Sequence, residues 1–118
     1  MGDNRIIQSF LKTVEDDYDM AEKYYSVIST INHLKLTQRE IQLIAFTSIK
    51  GNISYSSIRE EFCVKYKSSG ATINNMISKL KKLRVFVKDG GKVKVNPVLV
   101  QAFDKNFTLV IKIEHVKK

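Results

Sequence analysis

A glycine turn between two short alternating segments is the feature that most constrains this chain. Residues 85–88 and 92–96 mix valine or phenylalanine with lysine, and Asp-Gly-Gly stands between them at 89–91. Glycine supplies the positive φ angles that tight hairpin turns require. In the second segment the valines face one side and the lysines the other, because side chains alternate along a strand. The sequence therefore predicts a β-hairpin that ends before Pro97.

Helices are predicted throughout the segment before the hairpin. Thr37 and Glu40 form a Thr-x-x-Glu capping box, which starts an apolar helix that ends near Gly51. Ser54 and Ser69 are the expected N-caps of the next two helices, which run over about 55–66 and 71–83. Glycine and proline are scarce, so most of the chain is expected to be regular structure.

The N-terminal third predicts two further helices. Residues 5–12 suit a short amphipathic helix, and a longer one begins near Thr13 and runs to about Leu34. The longer helix has an apolar stripe that packs either on the rest of the chain or on a second copy. Its members are Tyr18, Ala21, Tyr25, Ile28 and Ile31.

The pattern of residues 98–113 indicates secondary structure less clearly than the preceding segments do. Residues 98–103 suit one helical turn or two. Apolar residues alternate from Phe107 to Ile113, which predicts either a third strand or an edge strand available to a partner.

Charge divides the chain into two parts. The 118 residues carry a formal net charge of +8, with a sequence pI of about 9.6. Residues 1–34 have a net charge of −3, and the remainder has +11. Nine basic residues and one acidic residue lie within 65–94 alone. We therefore expect an acidic helical extension at 1–34, a basic domain at 35–118, and a polyanion as partner.

Composition excludes several classes of protein. One cysteine permits no internal disulfide, and we expect a reducing, cytoplasmic compartment. No apolar run is long enough to span a bilayer, and no secretory signal is expected. His33 and His115 are far apart in sequence, Cys63 is better interpreted as a buried structural thiol, and no phosphate-loop or metal-ligand spacing occurs. We expect no enzymatic activity, no cofactor, no metal and no membrane partner.

Residues 36–97 resemble the winged helix-turn-helix family. The resemblance lies in Leu36-Thr-Gln-Arg-Glu-Ile-Gln-Leu-Ile-Ala, in Ser54-Tyr-Ser-Ser-Ile-Arg-Glu-Glu-Phe, in the helix that follows Ser69, and in the basic hairpin. The Val-Asn-Pro ending is similar to that of some plasmid replication and phage proteins. Many winged helices have a glycine before the first wing strand, whereas this chain has Leu83-Arg84-Val85. The resemblance implies a mainly α fold with a small β-hairpin, here with an N-terminal helical extension and a C-terminal strand.

The resemblance also implies that helix 71–83 enters a DNA major groove while the hairpin contacts the flanking backbone. Asn74 and Asn75 would recognise adenine, or they are solvated surface residues. The wing lysines neutralise phosphates, or they protect an exposed sheet edge. The helix contains no arginine, so we expect a specificity that is either modest or A·T-leaning. The predicted DNA-binding residues are Ser68, Ser69, Thr72, Asn74, Asn75, Ser78, Lys79, Lys82, Lys88, Lys92 and Lys94.

Two functions remain open at this stage. The first is a small DNA-binding protein of a phage or plasmid, acting in transcription regulation or replication and binding duplex DNA. About five to seven phosphate contacts would give a slope of log affinity against log salt of about −5 to −6. The second is a winged-helix protein-interaction module, such as a phage structural or assembly component. Residues 5–34 or 107–113 would then form the surface for a homodimer or a partner protein.

Overall fold

A computed structural model describes residues 16–100, 102, 103, 105 and 107–115. Within these residues four helices come first, followed by an antiparallel hairpin and a 3-10 turn at Pro97–Leu99. This order confirms the predicted mainly helical fold with a small hairpin. The predicted helix at 5–12 lies outside the described residues. The elements are α1 Asp17–Ile31, α2 Gln38–Lys50, α3 Ser56–Tyr66, α4 Gly70–Lys82, β1 Phe86–Asp89 and β2 Lys92–Val95.

Short-range caps fix the starts of three helices. The Asp16 carboxylate accepts a hydrogen bond from the Asp19 N–H group at the start of α1. At the start of α2, the Thr37 hydroxyl accepts from the Glu40 N–H group and the Glu40 carboxylate accepts from the Thr37 N–H group. The predicted capping box is therefore confirmed, and so is Ser69 as the N-cap of α4.

Ser54 does not cap α3, so that prediction was wrong. The N-cap of α3 is Tyr55, and it makes no side-chain capping bond. The Ser54 hydroxyl instead accepts a hydrogen bond from the Val93 N–H group at 2.7 Å, while the Ile53 N–H group donates to the Val93 carbonyl at 2.9 Å. Val93 is in β2 and its backbone faces away from β1, so the 53–54 segment satisfies groups that would otherwise lack partners.

One hydrophobic core joins the helices and the hairpin. Ala21 and Tyr25 of α1 lie in the same cluster as Phe46 of α2 and Phe62 of α3. The first part of the predicted stripe of α1, from Tyr18 to Tyr25, thus packs on the rest of the chain, whereas Ile31 at its end is 43% exposed. The Tyr25 hydroxyl donates to the Ser48 hydroxyl at 3.0 Å, so the polar end of this buried ring has a partner.

The predicted hairpin is confirmed, but its turn has two residues instead of three, because Asp89 belongs to β1. Gly90 and Gly91 have φ angles of 59° and 79°, and Asp89 pairs with Lys92 across the turn. The connection between α4 and β1 also contains a residue with a left-handed backbone conformation. Arg84 fills this place with a φ of 61°, although a side chain there costs about 1–2 kcal/mol relative to glycine. The chain therefore makes the turn without the glycine that many winged helices have.

The predicted C-terminal strand is absent. The sheet has two strands, and residues 107–115 form neither a helix nor a strand. Phe107 packs against the rings of Tyr24 and Phe103, but the apolar side chains after it remain exposed, 38% for Leu109 and 94% for Ile113. Alternation alone does not make a strand, because a strand also needs backbone hydrogen bonds to a neighbouring strand.

Candidate nucleic-acid interface

Helix α4 divides into a buried face and an open face. Ile73, Met76, Ile77 and Leu80 are buried in the core. Because successive residues turn about 100° around a helix, Asn74, Ser78, Lys82 and Asn75 share one arc of about 100° on the other side. All four are exposed. This exposed arc, which we call the open arc, therefore presents two amides, a hydroxyl and an ammonium group.

The start of α4 is already occupied by its own cap. The Ser69 hydroxyl accepts from the Thr72 N–H group at 3.2 Å and donates to the Thr72 hydroxyl at 2.9 Å. Ser68 is half-buried, whereas Ser69 and Thr72 are exposed. The capping role predicted for Ser69 is confirmed. A phosphate at this helix start would meet exposed hydroxyl groups and the positive end of the helix dipole.

Arg59 of α3 lies beside the open arc, a position that no sequence pattern indicated. Its Nε group donates to the Ile53 carbonyl at 2.8 Å, and its Nη1 group donates to Asn74 Oδ1 at 2.9 Å. The two side chains are 15 positions apart, so only the packing of α3 against α4 brings them together. Asn75, in contrast, makes no side-chain hydrogen bond to the described part of the chain.

Lys79 is held by a buried acid. Its Nζ atom lies 2.9 Å from Glu40 Oε1, and Glu40 is only 5% exposed. Burial alone would raise the pKa of Glu40, but the hydrogen bonds from the Thr37 N–H group and from Lys79, together with the lysine charge, outweigh it and lower the pKa. Glu40 is therefore ionised at neutral pH, and it compensates the charge of Lys79.

The hairpin lysines do not share one face. Lys92 and Lys94 alternate with the buried valines of β2 and face outward, whereas Lys88 is paired with Val93 and belongs to the other face. Lys92 lies over the Tyr55 ring at 5.1 Å, a cation–π contact. Lys94 lies 3.8 Å from Asp89, which weakens its pull on an external anion.

Uncompensated charge remains at the two ends of this surface. Lys82 at the end of α4 and Lys88 near the hairpin tip are exposed and form no ion pair with the described residues. Most of the eleven predicted site residues therefore lie on the surface of α4 or of the hairpin. Lys79 and Lys94 are the two that it pairs with an acid.

Three further observations on the described residues concern metal binding, the single thiol and membrane-spanning helices. Within them no group of three or more His, Cys, Asp or Glu side chains is placed to hold a metal ion. Cys63 is a half-buried free thiol in α3. No helix in the described part of the chain has both the length and the apolar character needed to cross a membrane.

No protein-family model, characterised protein or solved structure matches this chain. The functional interpretation therefore depends on the placement of α4 and the hairpin.

Proposed function

We propose that this chain is a winged-helix protein that binds duplex DNA, with α4 in the major groove and the hairpin beside the adjacent backbone. Three consecutive helices, α2 to α4, followed by a lysine-rich hairpin support the winged-helix assignment. The resemblance over 36–97 favours a transcription regulator or a replication-associated factor of a phage or plasmid.

The single observation that carries the proposal is the open arc of α4. A major groove is about 12 Å wide and admits one helix, whose exposed side chains then meet the base edges. Asn74, Asn75 and Ser78 are exposed on that arc and offer hydrogen-bonding groups, with the Asn74 oxygen already accepting from Arg59. Burial of the opposite face fixes the helix rigidly enough to present these groups in a constant arrangement.

Charge sets the expected salt dependence. Lys79 is compensated by the buried Glu40, whereas the long, exposed pair of Lys94 with Asp89 is weak. Four of the five lysines that the sequence suggested therefore remain available to phosphates: Lys82, Lys88, Lys92 and Lys94. Each neutralised phosphate changes the slope of log affinity against log salt by about −0.9, so four contacts give about −3.6.

A salt series of DNA-binding measurements tests the proposal. Fluorescence anisotropy with random and genomic duplexes between roughly 50 and 300 mM salt should give a slope between about −3 and −4. Lys82→Ala should make the slope shallower by about 0.9. Lys23→Ala is the matched control, since it removes an equally exposed lysine from α1 and should leave the slope unchanged. Absence of binding to any duplex at low salt would refute the proposal.

A protein-interaction module is the second candidate, and the exposed C-terminal segment favours it. Four apolar side chains within five residues lie in solvent, which is unusual unless a partner covers them: Leu109, Val110, Ile111 and Ile113. Under this function the chain would fail to bind DNA. Removal of residues 109–113 would abolish a self-association that sedimentation velocity detects in the full chain.

A further inference from the structure

The Arg59 side chain joins three parts of the fold. Its Nε group donates to the Ile53 carbonyl in the α2–α3 connection, and its Nη1 group donates to Asn74 on α4. Ile53 in turn donates to Val93 of β2. The guanidinium is planar and its donors form a rigid fork, so two bonds fix its orientation. It is therefore held in place at the edge of the open arc.

This contact determines which way the Asn74 amide points. An arginine has only N–H donors, so the Asn74 atom that faces it must be the carbonyl oxygen. The Asn74 Nδ2 group is then directed away from Arg59, and Asn74 is exposed. Of the five N–H donors of Arg59, two are used inside the protein, and the other three lie on the same fork. The pair thus offers hydrogen-bond donors and a positive charge to an incoming base.

We propose that Arg59 and Asn74 together form a guanine-selecting contact in the complex with DNA. This inference rests on the proposed function and adds a specificity to it. In the major groove guanine presents two acceptors, O6 and N7, whereas adenine presents one acceptor and one amino donor. The adenine amino group would approach an oxygen that already receives a bond from a cation. Because Arg59 and Asn74 together offer mainly hydrogen-bond donors, they favour guanine over adenine.

The inference changes the specificity expected from the sequence. The expectation of A·T preference counted only the side chains of α4, which contains no arginine. Arg59 supplies that side chain from α3. Asn75 keeps both halves of its amide free and remains suited to adenine. The predicted site then contains at least one G·C pair next to A·T pairs.

Binding-site selection from random duplexes, followed by affinity measurements, tests this directly. The protein should select guanine at one position, with an affinity about 10- to 100-fold above the adenine variant of that site. Asn74→Asp replaces the outward donor with an acceptor, and the preferred base should change from guanine to cytosine, whose N4 amino group donates. Arg59→Lys keeps the charge but loses the fork, and it should reduce the guanine preference to within about threefold.

Controls separate specificity from stability and from general binding. Lys23→Ala on α1 should leave the base preference unchanged. Circular dichroism should show that Asn74→Asp is folded, since Asn74 is exposed. DNA binding with no guanine preference, or an unchanged preference in Asn74→Asp, would overturn this inference alone. If the protein bound no duplex, the proposed function and this inference would both fall.

Discussion

Replacing Glu40 with glutamine should lower the stability of the protein and raise its affinity for DNA. Glu40 Oε1 accepts from the Thr37 N–H group at 2.8 Å and from Lys79 Nζ at 2.9 Å. Glutamine keeps an oxygen for Thr37 but loses the negative charge. Lys79 then loses its internal counter-ion next to the open arc of α4 and becomes available to a phosphate.

The expected magnitudes follow from these two contacts. Hydrogen bonds to charged groups contribute about 1 kcal/mol more than neutral ones, and the half-exposed position of Lys79 reduces its share. Glu40→Gln should therefore lower the free energy of unfolding by about 1–2 kcal/mol. One further phosphate contact should steepen the salt slope by about 0.9 and tighten binding roughly fivefold at about 0.1 M salt.

The pH dependence gives an independent check on the same pair. The folded-state pKa of Glu40 is lowered from its ordinary value of 4.5, so the protein with charged Glu40 is stabilised above that pH. The stabilisation is lost as the pH falls through the lower folded-state pKa. The stability difference between the natural protein and Glu40→Gln should therefore shrink below about pH 4.

Urea denaturation between pH 3 and pH 7, together with DNA anisotropy at several salt concentrations, measures both effects. Thr37→Ala is the control, because it weakens the capping box without changing any charge. It should lower stability by about 1 kcal/mol and leave the salt slope unchanged. A Glu40→Gln protein with the natural salt slope would show that Lys79 is not part of the DNA-binding surface.

Three further predictions concern the scaffold. Ser54→Ala should cost about 1–3 kcal/mol, because the Val93 N–H group loses its partner, and hydrogen exchange at Val93 should quicken. Phe46→Ala should cost about 3–5 kcal/mol in urea denaturation, since the fully buried ring contacts Tyr18 and Phe62; a loss below about 1 kcal/mol would contradict this packing. Burial raises the pKa of Tyr25 to about 12, so Tyr25→Phe should remove one tyrosine absorbance change of the folded protein near that pH and cost about 1 kcal/mol.

The features that the sequence predicted well are those specified within a few residues. The Thr37–Glu40 capping box, the Ser69 cap and the turn at Gly90 each depend on side chains or φ angles that neighbouring residues determine. The burial of one face of α4 follows from its helical periodicity in the same way.

The features that the sequence missed depend on distant contacts. Serine is a typical N-cap residue, but the Ser54 hydroxyl accepts a hydrogen bond from the backbone N–H group of Val93, 39 positions away. The ion pair of Glu40 and Lys79 also spans 39 positions, and Arg59 meets Asn74 across 15. None of these pairings leaves a periodic signal. The alternation at 107–113 did leave one, but it does not reveal whether a sheet edge is available.

The most direct test of the central claim is to map the DNA-binding surface on the isotope-labelled protein. Amide chemical shifts recorded by NMR during titration with a selected duplex should change along Gly70–Lys82 and in the hairpin at 86–95. Resonances of α1 should stay in place. Changes confined to α1 or to residues 107–115, with α4 unaffected, would contradict the claim that the open face of α4 binds DNA.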